Sequence, residues 1–294
     1  MPQDNKNSPL NVITLAVILC VVCSLVVSTA AVGLKSLQDA NIALDRKANL
    51  LSVTGFEDLG SADNINKLFA ERFDIEIIDL TTGQPAVEEA MEALSVAGKK
   101  MENAEETLVK YNQVWASKSK KDAVSDKISK NEDITQIKYR EKFSHVYIMK
   151  SESGEVEKYV FPVRGYGLWS MMKGYLAVEP DLQTIAGLTF YEHAETPGLG
   201  GEIQSERFKS QWPGKQIYCE ERENVLVKVI KAAPDNEYCI DALTGATITS
   251  NGVSKMMKYW LGDQGFGPYI KLKRGTVSET KETTMVTTGG NTNG

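Results

Sequence analysis

Histidine is nearly absent from this 294-residue chain, with only His145 and His193. Protein zinc sites draw their ligands from clustered His, Cys and carboxylates, so no metal site is expected. Cysteine is scarce as well. Cys20 and Cys23 lie inside an apolar run, where cysteine packs as a small hydrophobe. Cys219 and Cys239 stand far downstream and could either pair in an oxidising compartment or remain thiols. Positive charge is not in excess. A net charge of -6 and a pI near 5.2 argue against a nucleic-acid partner, whose phosphates are held by clustered Lys and Arg. The chain also lacks a Gly-x-Gly-x-x-Gly dinucleotide fingerprint and the Gly-Lys-Ser/Thr end of a P-loop. After Leu34 no run is long and apolar enough to cross a bilayer.

One such run precedes Leu34. From Asn7 through Leu34 there is no charged residue. The predicted membrane helix over 10–34 exceeds the roughly 30 Å hydrocarbon core at about 1.5 Å per residue. It is longer than the apolar region of a cleaved signal, about 7–15 residues after a basic start. Val22 stands where a lipoprotein signal ending at Cys23 would need a small residue. An uncleaved single anchor is therefore expected. Lys6 lies on one side and Lys35, Arg46 and Lys47 on the other, so charge alone does not orient it.

The rest reads as α+β. Apolar positions at helical spacing continue from Gly33 to Phe56, and "INKLFAERFDIEIIDLTTGQ" ends in an alternating, strand-like patch with a Thr82-Gly83 turn. Residues 85–133 are rich in Ala, Glu, Lys and Ser and predict one or two polar, solvated helices. Strand patterns then dominate: a hairpin turning at Ser153-Gly154, then "GYLAVEP", "TIAGLTFYEH" and "NVLVKVIK". A helix beginning near Thr249 carries Val253, Met256, Met257, Trp260 and Leu261 on one face. A mostly antiparallel sheet with flanking helices is expected. The expected divisions are a short tail at 1–9, the anchor at 10–34, a helical and mixed region at 35–140, a ligand-binding domain at 141–274 and a disordered tail at 275–294.

Three glycine-marked loops interrupt this pattern. "VRGYGLWS" brackets Tyr166 with Gly165 and Gly167 and leads to Trp169, whose face can stack on a planar ligand. "YEHAETPGLGG" collects His193, Glu195 and Thr196 on a turn-rich stretch, with no nucleophile beside them. "DALTGATITSNGV" crowds Thr244, Thr247, Thr249 and Ser250 around Gly245 and Ala246 before a helix. Free N–H groups at such a helix start favour a phosphate without needing Lys or Arg. The residues themselves thus point to a phosphorylated ligand, and not to its name.

"DALTGAT" resembles the Asp-x-x-Ser/Thr-Gly-Ala-Thr signature of proteins carrying covalent FMN, and "GYGLW" and "HAETPGLGG" are similar to the other hallmarks of that FMN-binding domain. "LQDANIALDRKANLLSVTG" is similar to the segment after the membrane helix in the C-subunit family of sodium-translocating NADH:quinone reductases. The resemblance covers the anchor region and about 146–267. It implies that a dedicated flavin transferase joins the FMN phosphate to Thr247. Glu195, Thr196, Leu199 and Trp169 would lie against the isoalloxazine ring. Thr244, Gly245, Ala246, Thr249 and Ser250 would surround the phosphate. It further implies an electron-carrying member of a membrane complex that oxidises NADH, reduces ubiquinone and exports Na⁺. That member would be anchored in the bacterial inner membrane with its body on the periplasmic side, contacting the other subunits. The homologous flavin subunit of Rnf-type ferredoxin:NAD⁺ oxidoreductases is the nearest alternative. An anchored module without redox function is the alternative from another class.

Overall fold

The computed structural model describes residues 9–219 and 224–275. The tails expected at 1–9 and 275–294 lie, but for Pro9 and Gly275, outside the described residues. The chain divides into two compact units, Met1–Arg46 and Lys47–Gly294.

A single helix, α1 (Pro9–Val53), begins in the first unit and ends in the second. In the first unit its apolar side chains, among them Leu10, Val17, Leu25 and Val32, are exposed. It is long and apolar enough to cross a membrane. Three of its hydroxyls bond within the helix: Thr14 donates to the Leu10 carbonyl, Ser24 to Val21 and Thr29 to Leu25, at 2.7–2.9 Å. Hydrocarbon would offer them no other partner.

In the second unit α1 ends with Leu50, Leu51 and Val53 buried. The Phe56 N–H donates to Leu51 O and the Gly55 N–H to Ser52 O, the bond pair of a Schellman turn. Next comes α2 (Ala62–Arg72), capped by the Ser61 hydroxyl, and then β1 (Phe73–Asp79). The polar stretch folds as three short helices where one or two were expected: α3 (Val87–Val96), α4 (Ala104–Lys110) and α5 (Gln113–Ser119). Asn103 and Asn112 cap the last two and so break the run into pieces. This region is more than a solvated face. Ala86, Ala90, Leu94, Ala97, Met101, Tyr111 and Ala116 form a core of their own against Ile77 and Phe143 of the sheet. Small side chains supply that stripe, which is why composition concealed it.

β2 (Ser125–Lys127) and β3 (Tyr139–Glu141) pair as a small ribbon. The main sheet then continues through β4 (Phe143–Lys150), β5 (Val156–Tyr166), β6 (Met171–Val178) and β7 (Ile185–Glu192). Its order is β1-β4-β5-β6-β7 and every pairing is antiparallel. The expected hairpin is the β4–β5 pair. β1 lies before the expected boundary at 141 yet pairs along its whole length with β4. A 3₁₀ turn (Gly200–Gln204), the short α6 (Glu206–Lys209), and the parallel pair β8 (Lys228–Ile230) and β9 (Cys239–Asp241) lead to α7 (Thr247–Trp260). A last helical stretch runs over 267–275. "NVLVKVIK" thus contributes only three strand residues.

Side chains at alternate strand positions separate two faces. Val146, Ile148, Phe161, Val163, Leu176, Leu188 and Phe190 pack with Val253, Met256, Met257 and Trp260 of α7 and with Phe266 and Tyr269. Each large side chain so buried contributes about 1.5–3 kcal/mol. The opposite face carries an aromatic layer in which Tyr175 stacks on Tyr191 at 4.7 Å and meets Tyr147 edge-on at 5.9 Å. Cys239 is buried and Cys219 half-buried.

Candidate functional site

The three glycine-marked loops meet at one end of the sheet. Residues 167–170 form the turn of the β5–β6 hairpin, closed by the Gly167 N–H donating to Ser170 O at 2.9 Å. Residues 193–199 follow β7, and residues 242–246 lead from β9 into α7. β5, β7 and α7 pack on one core, and so their ends converge.

Glu195 joins the loops. It is 4% exposed, and both its oxygens face donors. Oε1 accepts from the Trp169 N–H at 3.0 Å, the Ser170 N–H at 3.0 Å and the Ser170 hydroxyl at 3.2 Å. Oε2 accepts from the Leu168 N–H at 3.0 Å and from the Thr249 hydroxyl at 2.7 Å. The Ser170 hydroxyl in turn accepts from the Ala194 N–H at 2.7 Å, and His193 Nδ1 accepts the Glu195 N–H at 3.2 Å. Burial works against the charged form. The hydrogen bonds from Thr249, Leu168, Trp169 and Ser170 outweigh it and hold the carboxyl below its ordinary range. Glycine makes room for this arrangement: a Cβ on Gly167 would sit 2.7 Å from the carboxylate, and one on Gly200 would sit 2.6 Å from the Thr249 hydroxyl.

The four hydroxyls of the third loop divide into two pairs. Thr249 and Ser250 are each 1% exposed. Thr249 donates to Glu195, and Ser250 Oγ accepts the Leu243 N–H at 3.1 Å, tying the turn to the helix it precedes. Thr244 and Thr247 are exposed. α7 begins two residues earlier than the apolar periodicity predicts, at Thr247 itself, behind an Ala246 that offers no side-chain cap. The first-turn N–H groups are therefore left without a capping side chain and can face an anion, while the Glu195 carboxylate lies against Thr249 on the same turn.

A cleft of about 770 Å³ runs past this helix start. Leu199, Thr244, Thr247 and Asn251 line it, together with Arg207 and Lys231. Around the loops stand exposed apolar side chains: Trp169 at 69%, Ile248 at 56%, and Leu168, Leu199 and Tyr166 at 40–47%. Of the residues expected to hold a ligand, Trp169, Thr196, Leu199, Thr244, Gly245 and Thr247 are exposed, whereas Glu195, Ala246, Thr249 and Ser250 are buried. Sequence reasoning missed Ser170, Arg207, Lys231 and Asn251. Ser170 closes a loop that its glycines already mark. Arg207 and Lys231 carry no local signal, because only the fold brings them beside α7.

A second constellation supports the first loop from below. Arg164 forms a bidentate pair with Glu141, one arm at 2.6 Å, and the two are 3% and 0% exposed. The guanidinium lies 4.9 Å from the Trp260 ring centre, and the Trp260 indole N–H donates to Arg164 O at 2.6 Å. Two residues on, the Tyr166 N–H donates to Thr135 O at 3.0 Å.

The FMN-binding domain family model matches residues 167–262. The chain is similar to the C-subunit of the Na⁺-translocating NADH-quinone reductase of Vibrio parahaemolyticus, with 39% identity over 91% of this chain and 96% of that one. The C-subunit of Pseudomonas aeruginosa is 35% identical, over 92% of this chain and 98% of the relative. The crystal structure of NqrC from Shewanella oneidensis superposes with a TM-score of 0.65 at 28% identity, covering 78% of this chain and 96% of that chain. The C-subunit from Parabacteroides distasonis has the same fold, with a TM-score of 0.57 at 23% identity over 81% of this chain and 96% of that one.

Proposed function

The chain belongs to the C-subunit family of Na⁺-translocating NADH-quinone reductases, and from that premise we propose that it carries FMN as a phosphoester on Thr247 and serves the complex as an electron carrier. The observation that carries the reading is the exposed Thr247 hydroxyl at the uncapped first position of α7. Bound there, the flavin supplies the electron-accepting and electron-donating chemistry.

The residues present fit such a group. A phosphodiester at Thr247 leaves about one negative charge within reach of the first-turn N–H groups, where a helix end favours an anion by about 0.3–1 kcal/mol or more. Thr244 offers a second exposed hydroxyl on the same turn. Trp169 and Leu199 present apolar faces for the ring, with Thr196 beside them, and burial of those faces is what would hold it. Thr249 and Ser250 serve the site from within, through Glu195 and the Leu243 amide. Covalent attachment removes loss by dissociation, which suits a carrier fixed between two electron partners.

In this reading a flavin transferase makes the bond, α1 anchors the chain in the bacterial inner membrane, and the body lies on the periplasmic side among the other subunits. Electrons from NADH pass through it toward quinone, coupled elsewhere in the complex to Na⁺ export. Peptide mass spectrometry on the protein co-expressed with its transferase tests the reading. FMN is expected on the peptide containing Thr247 and absent from Thr247→Ala, which should still fold because an exposed hydroxyl is all it loses. An unmodified Thr247 alongside an active transferase would overturn the electron-carrier reading and leave an anchored binding module.

A further inference from the structure

We infer that Glu195 is a positioning residue of the flavin site and not a contact of the ring: its ionised carboxylate locks three separate loops into one arrangement before any flavin is attached. The inference rests on the proposed flavin function for what the site binds, and on geometry alone for what Glu195 does.

A carboxylate has about four lone-pair directions to offer. Glu195 meets five donors, three of them consecutive backbone N–H groups in the β5–β6 turn and one the Thr249 hydroxyl of α7. No acceptor capacity is left to face a ligand, and at 4% exposure the side chain lies beneath the surface that Trp169 and Leu199 present. Consecutive N–H groups that converge on one point form an anion-binding nest, and here the protein fills that nest with its own side chain. The orientation of Trp169 follows from it, because the Trp169 N–H is one of the three donors. Thr249 lies two residues from Thr247 on the same helical turn, and its bond to Oε2 sets the distance between the attachment point and the stacking face.

The charge is essential to this role. In Glu195→Gln an NH₂ replaces one oxygen. Placed at Oε2, it meets the Leu168 N–H, a donor facing a donor; placed at Oε1, it meets two N–H groups and a hydroxyl. Either orientation leaves a backbone N–H of the turn without an acceptor, and hydrogen bonds to charged groups are the stronger kind.

Hydrogen exchange on the full-length chain, expressed without the transferase and kept in detergent, tests this without flavin. The peptide covering residues 167–170 should exchange at least about tenfold faster in Glu195→Gln than in wild type. Thr249→Val should keep those amides protected, since it removes only the link to α7. With the transferase present, both variants should lose at least half of the visible circular dichroism of the attached flavin, the signature of an ordered ring. Wild-type exchange in Glu195→Gln, or wild-type dichroism in both variants, would overturn the inference. Should Glu195→Gln fail to fold, Thr249→Val decides it by dichroism, since it removes one donor and leaves the carboxylate in place; wild-type dichroism there would overturn the inference. Absence of FMN from wild-type Thr247 would sink the functional reading instead, and the exchange result would stand apart from it.

Discussion

A charged carboxylate inside a protein is stable only while its donors outweigh its desolvation. Buried Glu195 meets that condition with hydrogen bonds alone; Asp181, exposed on the turn before β7, accepts from the Gln183 N–H, from the Thr184 N–H and from the Thr184 hydroxyl. Desolvation acts first on Asp181 also, and these bonds, with Arg274 nearby, hold its carboxyl below the ordinary value. The sign of the pH effect follows. Below the unfolded value, near 3.9 for Asp and 4.3 for Glu, the unfolded chain takes up protons that the folded chain refuses. Their contribution to stability is thus present above about pH 4.3 and lost as pH falls through the depressed folded values. Thermal unfolding between pH 3 and pH 6 should show a falling midpoint on the acid side, with a shallower slope in Glu195→Gln, which has one fewer such group.

At the scale of the element, α7 starts without a cap. Replacing a poor N-cap by Ser, Thr, Asp or Asn ordinarily stabilises a helix by about 0.5–2 kcal/mol. Ala246 is 6% exposed and its side chain makes no cap bond, so Ala246→Ser should raise the unfolding midpoint. The same hydroxyl would occupy an N–H group that the proposed phosphate needs. A more stable protein with less covalent flavin is the expected pair of results, measured by calorimetry and by the FMN-bearing fraction in peptide mass spectrometry. Greater stability with undiminished attachment would mean that the N–H groups of the first turn do not serve the phosphate. A helix that leaves its own stabilisation incomplete at one end is consistent with a site that uses that end.

At the scale of the whole second unit, segments far apart in sequence hold the site. Glu141 ends β3, Arg164 lies near the end of β5 and Trp260 ends α7, and the three form one buried cluster. Removing one partner leaves an uncompensated buried charge, at a cost of about 3–5 kcal/mol. Glu141→Ala should therefore lower the denaturant midpoint strongly, while the apolar double replacement Glu141→Leu with Arg164→Met should recover much of the loss. If the single and double variants were equally unstable, the pair would be acting through packing and not through charge. Residues 85–133 support the same sheet from its other side chains. Their core rests on Ile77 and Phe143 of the sheet that carries the loops.

The sequence alone determined what local chemistry can express. The membrane helix follows from an uncharged apolar run, and β4 to β7 from strand-forming runs bounded by turn residues. The three glycine-marked loops were legible because close backbone approach leaves glycine no substitute. Thr247 stands out by a motif, which is local by nature. Only the tertiary structure decided how the four hydroxyls divide. Spacing cannot reveal that Thr249 turns inward to Glu195 while Thr247 faces a cleft, since both sit on one helical turn and differ only in what packs against them. It also decided that Glu195 lies under the surface, that Arg207 and Lys231 stand beside α7, and that small alanines give residues 85–133 a core. Each of these is a contact between segments distant in the chain, and such contacts are set by the packing of the sheet and helices, which no short stretch of sequence records.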